Sequence, residues 1–467
     1  MKRRLTAAAD AAAVVALCLA SFVAVFGGFN LQLGPLPISV HGAGRLLFIA
    51  LALVAIRHAA NPADPLHRRL LRGYRARRDG TAAAIVPAAV ATRVAALLVG
   101  YMAVNTIGVA PELAGFTLSP RPLLNLPARF DAGWYGGIAL DGYSFQGRWD
   151  RQQNIAFFPA FPMLARIAGY PLGAFAPRVP HDVRIARLLW AGVLISFAAF
   201  GWAAVYLWRL TAETVGEARA PAAVALLASY PFAVFFSAPY TESLFLLGCL
   251  GCVYHFRRRE LSIAAAWGLL VGLTRPNGCL LSVVLAVMLI ERYRELARAP
   301  RADAARAVLA AAAPGFGMLL YSAYIHQLTG DFFGWARLQE TWGRSFAGLA
   351  PVGRAYGWLI DEGLLTVVQN VPYDTMNSLG LIFALAMVWP VARRLGWALA
   401  LFVVITVIPP LLAGGVLSMG RLTSTLFPLF IALAAMVPPR AVPQVVTAFA
   451  IGQGLAAALF FTWRPLF

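Results

Sequence analysis

Long apolar runs recur from one end of this 467-residue chain to the other, and they constrain its fold more than any other feature. A helix needs roughly 20 mostly apolar residues to cross a bilayer, and fewer when it is packed among other helices. About thirteen candidate segments lie near 5–28, 43–57, 82–107, 185–208, 220–237, 241–256, 261–274, 278–290, 306–326, 376–391, 395–413, 421–437 and 443–461. The pattern predicts an all-α polytopic integral membrane protein with about 13 transmembrane helices.

Composition agrees with that class and excludes others. The chain is 60% hydrophobic and only 13% charged, whereas soluble domains carry about 25% charged residues. Such a sequence cannot cover a soluble domain with polar surface, and it is too apolar for a disordered protein. We therefore expect a membrane protein with membrane lipids around it.

The basic residues give the predicted topology. The net charge is +19, and all of the 39 basic residues except Lys2 are arginines. They cluster in short segments between apolar runs, as the positive-inside rule requires of cytoplasmic loops. With the N-terminus in the cytoplasm, the dense clusters fall on the cytoplasmic side: 2–4, 57–78, 257–259, 292–306 and 393–394. We expect topology and anionic-lipid contact, and no nucleic acid, to explain this charge.

The chain divides at about residue 81. Residues 1–81 are an N-terminal extension with two predicted transmembrane helices and a basic cytoplasmic loop, and 82–467 form the main membrane domain. The first apolar run also has the form of a cleaved signal peptide, but no clear cleavage site precedes Gly27-Gly28, which favours a retained helix. All four cysteines lie inside apolar segments, which predicts buried thiols and no disulfide framework.

Two long segments fall on the extracytoplasmic side in this topology, at about 108–184 and 327–375. Both are rich in aromatic residues, proline and glycine, and we expect short amphipathic helices in them. Polar chemistry in a membrane protein needs a place where charged groups are hydrated or held by protein. Any active site is therefore expected in these loops and at the helix ends beneath them.

Asp131 is the most notable acid in the first of these loops. It stands among aromatic residues in the run Arg129-Phe130-Asp131-Ala132-Gly133-Trp134-Tyr135. A carboxylate in such a setting can serve as a general base. It can equally cap an interfacial helix that begins at Ala132, which is a frequent role for aspartate. Local sequence leaves both interpretations open.

The loop motifs resemble a known family. The run RFDAGWYGGIALDGY, followed by NIAFFPAFPML, is similar to the first luminal loop of the glycosylphosphatidylinositol mannosyltransferase II family and its bacterial relatives. Further similar motifs follow in the same order: APYTESLF at 238–245, TRPNG at 274–278, GDFF at 330–333 with Gln339 and Trp342, and Arg421 with LFP at 426–428. The resemblance covers roughly 82–437. The family usually has Trp where this chain has Phe130, and His or a small polar residue where it has Asp141.

The resemblance implies a GT-C-type glycosyltransferase. Members move a sugar, typically mannose, from a polyprenyl-phosphate donor lipid to an acceptor hydroxyl with inversion, and the aspartate corresponding to Asp131 is the base. The acceptor could be a glycolipid, a glycan or a protein. The reaction takes place on the extracytoplasmic face, which agrees with the topology derived from the arginines. The high Arg-to-Lys ratio and the abundance of alanine favour a bacterial inner membrane as the location.

The leaving lipid phosphate needs cationic partners, for which the bidentate arginine side chain is well suited. Arg129, Arg275 and Arg421 are the candidates, although each could instead reach lipid headgroups. Gln339 and Trp342 are three residues apart and would share a helix face as a sugar platform. Further predicted substrate contacts are Tyr135, Tyr143, Glu242 and Asn277, where Glu242 could also simply complement a helix N-terminus.

We predict no cofactor and no metal, because position 133 is glycine and leaves no Asp-x-Asp pair for a divalent ion. Asp141 could orient a sugar, bind a metal or stabilise its loop. Two other function classes remain open. A lipid or solute transporter or flippase would share the helices but would not need Asp131, and a structural scaffold would need none of these loop residues. A third alternative keeps the fold with a different sugar donor.

Overall fold

The computed structural model describes residues 12, 13, 16, 29–33, 36–40, 43–60, 81–291 and 300–466. Most of the first predicted segment, 5–28, and the greater part of the basic loop at 57–78 lie outside these residues. The first half of the main domain contains α2 Thr81–Thr106, α3 Pro122–Asn125, α4 Ala132–Asp141, α5 Ala160–Gly169, α6 His181–Val215, α7 Ala220–Ser229, α8 Glu242–Arg257, α9 Leu261–Gly272 and α10 Leu281–Glu291, after β1 Phe29–Leu33, β2 Leu36–Val40 and α1 Ala43–Ala60. The second half contains α11 Arg301–Thr329, α12 Gly334–Arg337, α13 Ala350–Glu362, α14 Leu364–Asn370, α15 Pro372–Ala386, α16 Val388–Leu395, α17 Trp397–Gly414, α18 Met419–Ser424, α19 Phe427–Met436 and α20 Val442–Phe461.

Helices make up nearly all of the described regular structure, as predicted, with one small exception. Strands β1 and β2 pair antiparallel, with Phe29 opposite Val40 and Leu33 opposite Leu36. The apolar side chains of β1 alternate with Asn30 and Gln32, which is the period of a strand rather than a helix. The all-α prediction is therefore corrected at this hairpin.

The predicted number of membrane spans is not confirmed. Six described helices are long and apolar enough to cross a bilayer: Ala82–Thr106, His181–Val215, Arg301–Thr329, Pro372–Leu395, Trp397–Gly414 and Pro439–Phe461. A seventh is obtained if Glu217–Ser229 and Pro231–Ser237, which meet at 79°, count as one span. The other predicted segments from residue 241 onwards coincide with shorter helices, including α8, α9 and α19. The described helices therefore lie where the sequence predicted apolar segments, but several of them are too short to cross a bilayer.

The shorter helices include the one at the centre of the molecule. Helix α8 is buried along nearly its whole length, with Phe245 and Leu250 fully enclosed. Glycines let its neighbour approach closely, because a Cβ on Gly248 or Gly251 would collide with Val271 or Trp267 of the α9 helix. Small residues at such contacts are the usual means of packing helices in membranes.

The predicted helix at 421–437 is interrupted. Helix α18 ends at Ser424, and α19 begins at Phe427 with Pro428 in its first turn. Proline has no amide hydrogen and cannot continue the hydrogen-bond pattern of a preceding helix, so a new helix starts there. The break leaves Arg421 on a short, buried helix instead of at the start of a long span.

The two predicted outer loops correspond to a first loop region, 108–180, and a second loop region, 330–371. They meet on one side of the molecule, where the Gln152 amide donates to the Thr341 carbonyl at 3.2 Å and Arg337 lies 4.7 Å from the centre of the Trp149 ring. Helix α8 starts at this side and runs about 24 Å to Arg257. The basic cluster at 257–259 therefore lies on the opposite side from both loop regions.

Candidate active site

A cavity of about 360 Å³ lies where the two loop regions meet the helix ends. The first loop region supplies Asp131 and Tyr135, the turn after α9 supplies Arg275 and Asn277, and the second loop region supplies Arg344. Helix α17 contributes an apolar wall of Ile405, Pro409, Pro410 and Ala413. The cavity is thus lined both by charged and polar groups and by the apolar surface of a helix that is long enough to cross a membrane.

Asp131 directs its carboxylate to an arginine of this cavity, Arg421. It stands at the N-cap position of α4, but its side chain makes no capping hydrogen bond. Its Oδ2 accepts from Arg421 Nη1 at 2.5 Å, and the side chain is 20% exposed. The interpretation of Asp131 as a simple helix cap therefore does not describe the contacts of this carboxylate.

The backbone around Asp131 is fixed from two sides. Phe130 has a φ of +45°, a left-handed conformation that is uncommon for a bulky residue. The Asp131 amide donates to the Tyr240 hydroxyl at 3.1 Å, and that hydroxyl donates to the Arg129 carbonyl at 3.0 Å. Tyr240 is fully buried, so these two hydrogen bonds from the APYTESLF motif hold the backbone turn at residues 129–131 in place.

Glu242 lies beneath the cavity and holds two of its cations. It is fully buried, and its Oε1 accepts from Arg275 Nη1 at 2.9 Å and from Arg421 Nε. Arg421 therefore bridges Glu242 and Asp131 through different nitrogens of one guanidinium. Its guanidinium also lies over the Tyr240 ring at 4.6 Å from the ring centre. This arrangement fixes the direction of Arg421 and Arg275 toward the cavity.

Arg344 gives the cavity a third guanidinium. Within the described parts of the chain its side chain makes no hydrogen bond or ion pair, although it lies near Arg275 and Arg421. Burial, reinforced by repulsion from Arg421 and Arg275, lowers the pKa of the Arg344 guanidinium to about 10. The groups Asp131, Glu242, Arg275, Arg344 and Arg421 together carry one positive charge in excess.

Two further polar groups in the cavity wall lack partners. Asn277 Nδ2 and Thr406 Oγ1 are buried and form no hydrogen bond with any described residue. Buried polar groups are nearly always satisfied, and an unsatisfied one costs about 1–3 kcal/mol. These donors, together with Arg344 and the excess charge, are suited to an anionic ligand in the cavity.

Tyr135 and Trp342 form aromatic walls of the cavity. The Tyr135 ring packs against Phe157 at 5.2 Å between ring centres, and Phe157 packs against Trp342 at 5.7 Å. Burial raises the pKa of the Tyr135 hydroxyl to about 12, so this group keeps its proton at neutral pH. It can donate a hydrogen bond to a ligand but cannot act as a base there.

Seven of the ten residues predicted from the sequence line this cavity: Asp131, Tyr135, Arg275, Asn277, Gln339, Trp342 and Arg421. Glu242 is brought to it through its ion pairs. The remaining two, Arg129 and Tyr143, lie outside it. These residues are brought together by folding and not by closeness in the sequence, because Asp131 and Arg421 are 290 residues apart.

Arg129 is directed away from the cavity, although a phosphate contact was predicted for it. Its guanidinium donates to the backbone carbonyls of Phe461, Asn125 and Ala128 at 2.7 Å each. With 1% of its surface exposed, it ties the Asp131 turn to the end of α20. Tyr143 likewise donates to the Phe157 carbonyl at 2.8 Å and supports the loop from behind.

Arg344, Thr406 and Tyr240 were missed as site residues. Tyr240 was visible in the APYTESLF motif, and Arg344 follows Trp342 by two residues in the same loop. No sequence signal distinguishes Thr406 from other threonines in apolar helices. In the part of the chain that the structure describes, no three His, Cys, Asp or Glu side chains lie together as metal ligands would.

Comparison with known proteins adds an independent line of evidence. Residues 117–329 match the family described as mannosyltransferase (PIG-V). The match covers a little under half of the chain and supports a PIG-V-like mannosyltransferase family. The PIG-V match contains Asp131, Glu242 and Arg275, while Arg344 and Arg421 come from the chain beyond it. The match supports a glycosyltransferase in the membrane, one that uses a sugar donor and an acceptor. No curated protein and no solved structure gives a significant match.

Proposed function

We propose that the protein is an inverting mannosyltransferase that uses a polyprenyl-phosphate sugar as its donor. The observation that carries the proposal is the placement of one carboxylate, Asp131, in a cavity with three guanidiniums and an apolar wall. The PIG-V match favours mannose as the sugar. The donor's phosphate suits the cationic end, and its prenyl chain suits the surface of helix α17.

In the proposed reaction the acceptor oxygen attacks C1 of the donor sugar, on the face opposite the phosphate. Asp131 takes the proton of that hydroxyl as the new C1–O bond forms. The bond between C1 and the phosphate oxygen breaks, and the lipid phosphate leaves with the electron pair. A single displacement of this kind inverts the configuration at C1 and needs no covalent intermediate.

Arg275, Arg344 and Arg421 would stabilise the leaving phosphate. Guanidinium groups form strong charge-assisted hydrogen bonds with phosphate oxygens, and groups held in place beforehand need no reorganisation during the reaction. Glu242 holds two of these guanidiniums in position. Arg344 pairs with no anion among the described residues, so it is available to bind phosphate as soon as the donor enters.

The proposed location is a bacterial inner membrane, with the two loop regions on the extracytoplasmic side. The basic cluster at 257–259 lies at the far end of α8 from the cavity, where the positive-inside rule favours the cytoplasm. Lipid-linked sugars with polyprenyl chains could then enter from the outer leaflet along α17.

The test is transfer by the purified protein in nanodiscs, with polyprenyl-phosphate mannose and a panel of glycolipid, glycan and peptide acceptors. We expect Asp131→Asn to lower turnover by about 10²- to 10⁴-fold, as is typical for loss of a general base. Asp361→Asn, at an exposed position of the α13 helix, is the matched control and should behave as wild type. Equal transfer rates for Asp131→Asn and wild type would exclude Asp131 as the base. No transfer by wild type to any acceptor would overturn the transferase and favour a transporter.

A further inference from the structure

Helices α13 and α14 of the second loop region present an apolar face that no other part of the described chain covers. We propose that this face lies in the membrane interface on the side of the two loop regions, with its side chains at the boundary between lipid headgroups and acyl chains. The proposal goes beyond the transferase reaction, because it assigns a lipid-contact surface and not a substrate site.

The apolar face of α13 has helical spacing. Val352 and Ile360 each stand four residues from Tyr356, so the three side chains share one side of the helix. All three are exposed, Tyr356 by 64% and Ile360 by 63%. Arg354 and Asp361, two residues before and five after Tyr356, fall on the opposite side. Helix α13 is therefore amphipathic, with its apolar side turned away from the rest of the molecule.

Helix α14 enlarges this apolar surface. It exposes Leu364, Leu365 and Val368, and Leu365 is 78% exposed. No residue of α13 or α14, both of which are described throughout, is buried. Contiguous apolar surface of this kind marks a contact with a protein or a membrane, since exposure to water would be unfavourable.

Both ends of the segment are joined to helices that are long and apolar enough to cross a membrane. Before α13, the Ala347 amide donates to the Leu412 carbonyl at 2.9 Å, near the end of α17. A Cβ at Gly415, just beyond α17, would lie 3.3 Å from the Cβ of Pro351 in α13. After α14, only Val371 precedes the first residue of α15. The segment is thus held at the level where these two spans leave the bilayer.

The apolar face continues onto α15, which forms the first part of the span Pro372–Leu395. Leu379, Ile382 and Leu385 stand three residues apart, and all of them are exposed. Apolar side chains exposed on a membrane span contact lipid, so lipid is also the partner that the adjoining face of α14 and α13 fits. Interfacial helices bury their apolar side at the boundary of headgroups and acyl chains, and tyrosine favours that depth.

The experiment is spin labelling with the protein in nanodiscs of palmitoyl-oleoyl phosphatidylcholine. Nitroxide labels are attached to Tyr356→Cys and Leu364→Cys on the apolar face, and to Arg354→Cys and Asp361→Cys on the polar side as matched controls. Cys18 and Cys279 are replaced by serine in every variant, while Cys249 and Cys252 are buried. The measurement is the accessibility of each label to oxygen, which concentrates in lipid, and to a water-soluble nickel chelate.

We expect the oxygen-to-nickel ratio to be about tenfold higher at the two apolar positions than at the two controls, because an interfacial helix buries its apolar face roughly 5–10 Å deep. Ile382→Cys on α15 gives the reference value for lipid, and Asp150→Cys in the first loop region gives that for water. All labelled positions are exposed, so the variants should fold, and thermal unfolding checks this.

Two results would overturn the proposal. Equal ratios at Tyr356 and Arg354, both near the Asp150 reference, would mean that the apolar face lies in water. Labels at Tyr356 and Leu364 that are immobilised and reached by neither reagent would mean that a protein, such as a second copy of this chain, covers the face instead of lipid.

Discussion

At the scale of single residues, the site is organised by a buried network of opposite charges. Arg421 bridges Asp131 and Glu242, and Glu242 also binds Arg275. Desolvation makes a buried ion pair poor evidence for added stability, while removal of one partner leaves a costly uncompensated charge. The network is therefore better explained by the positions it gives the guanidiniums than by the stability of the fold.

The first prediction concerns Arg344, the cavity guanidinium that has no hydrogen-bond or ion-pair partner in the described part of the chain. We expect Arg344→Gln to raise the KM for polyprenyl-phosphate mannose about 10- to 100-fold, since hydrogen bonds to charged groups contribute about 1.5–3 kcal/mol. The melting temperature should stay the same or rise, because a half-buried cation that pairs with no described residue is removed. Arg354→Gln, at an exposed position of α13, is the control and should change neither quantity.

The same residue predicts a pH dependence. The pKa of Arg344 is lowered to about 10, so the guanidinium is charged below pH 10 and becomes neutral above it. Donor affinity should therefore be constant from pH 7 to 9 and fall as the pH rises through 10. Arg344→Gln should lack this alkaline decrease. Donor titration of the variant measures this. If its donor affinity falls above pH 10 as much as that of wild type, the decrease does not come from Arg344.

The free energy of unfolding should depend on pH in the opposite direction to donor affinity. Because the folded pKa of Arg344 lies below its ordinary value, burial of the charged form costs free energy at neutral pH. This cost is present below pH 10 and is relieved between pH 10 and the ordinary value. The contribution of Arg344 to the free energy of unfolding should thus become less unfavourable with rising pH, while donor binding weakens.

At the scale of elements, close helix crossings hold the cationic turn in place. Helices α9 and α11 approach so closely at Gly272 that a Cβ there would lie 1.9 Å from the Pro314 carbonyl oxygen. On the other helix, a Cβ at Gly317 would lie 2.5 Å from the Leu269 carbonyl oxygen. Arg275 follows Gly272 by three residues, so the position of its guanidinium depends on this crossing.

We therefore expect Gly272→Ala to force α9 and α11 apart. The expected loss is about 1–3 kcal/mol of stability, as is typical of overpacking, together with a decrease in donor affinity. Thermal unfolding and donor titration measure the two effects. Gly454→Ala on α20 is the matched control, since a Cβ there meets no atom within 4 Å. It should be neutral or stabilising, and similar melting temperatures for both variants would contradict the argument.

At the scale of the whole molecule, the two loop regions come together on one side and the described basic cluster at 257–259 lies on the other. The apolar helices, together with the family match at 117–329, indicate a multi-pass membrane protein. The proposed orientation follows from the charge asymmetry, since arginine-rich loops are retained in the cytoplasm. The cavity then opens to the extracytoplasmic side.

Cysteine labelling in intact cells tests this orientation. Asp150→Cys, at an exposed position of the first loop region, should react with a membrane-impermeant maleimide added outside. Arg394→Cys, at an exposed position near the end of α16, should react only after the membrane is permeabilised. The native Cys249 and Cys252 are buried, as predicted, and should contribute little background, whereas Cys279 is half-buried, contrary to the prediction. Cys279 and Cys18 are therefore replaced by serine in both variants. The reverse pattern of labelling would place the active site in the cytoplasm.

Several features of the protein could be read from local sequence because they depend on local physics. Apolar runs predicted the positions of helices such as α2, α11 and α17, since a backbone in hydrocarbon must satisfy its own hydrogen bonds. The motif resemblance predicted the family, and the match at 117–329 agrees with it. Span number could not be predicted this way, because helices buried among others need not reach across the bilayer.

The site itself depended on contacts that only the folded chain makes. Charge and spacing made Arg129 as good a phosphate candidate as Arg421, but the carbonyls of Phe461 and Asn125 hold Arg129 away from the cavity. Arg344 enters the cavity because the second loop region folds against the first. The sequence by itself determined where most of the described helices lie and the family resemblance, and it singled out Asp131, whose role as the base stays a prediction. The tertiary structure decided which cations face that acid, because long-range packing, and not chain order, sets which side chains remain unpaired.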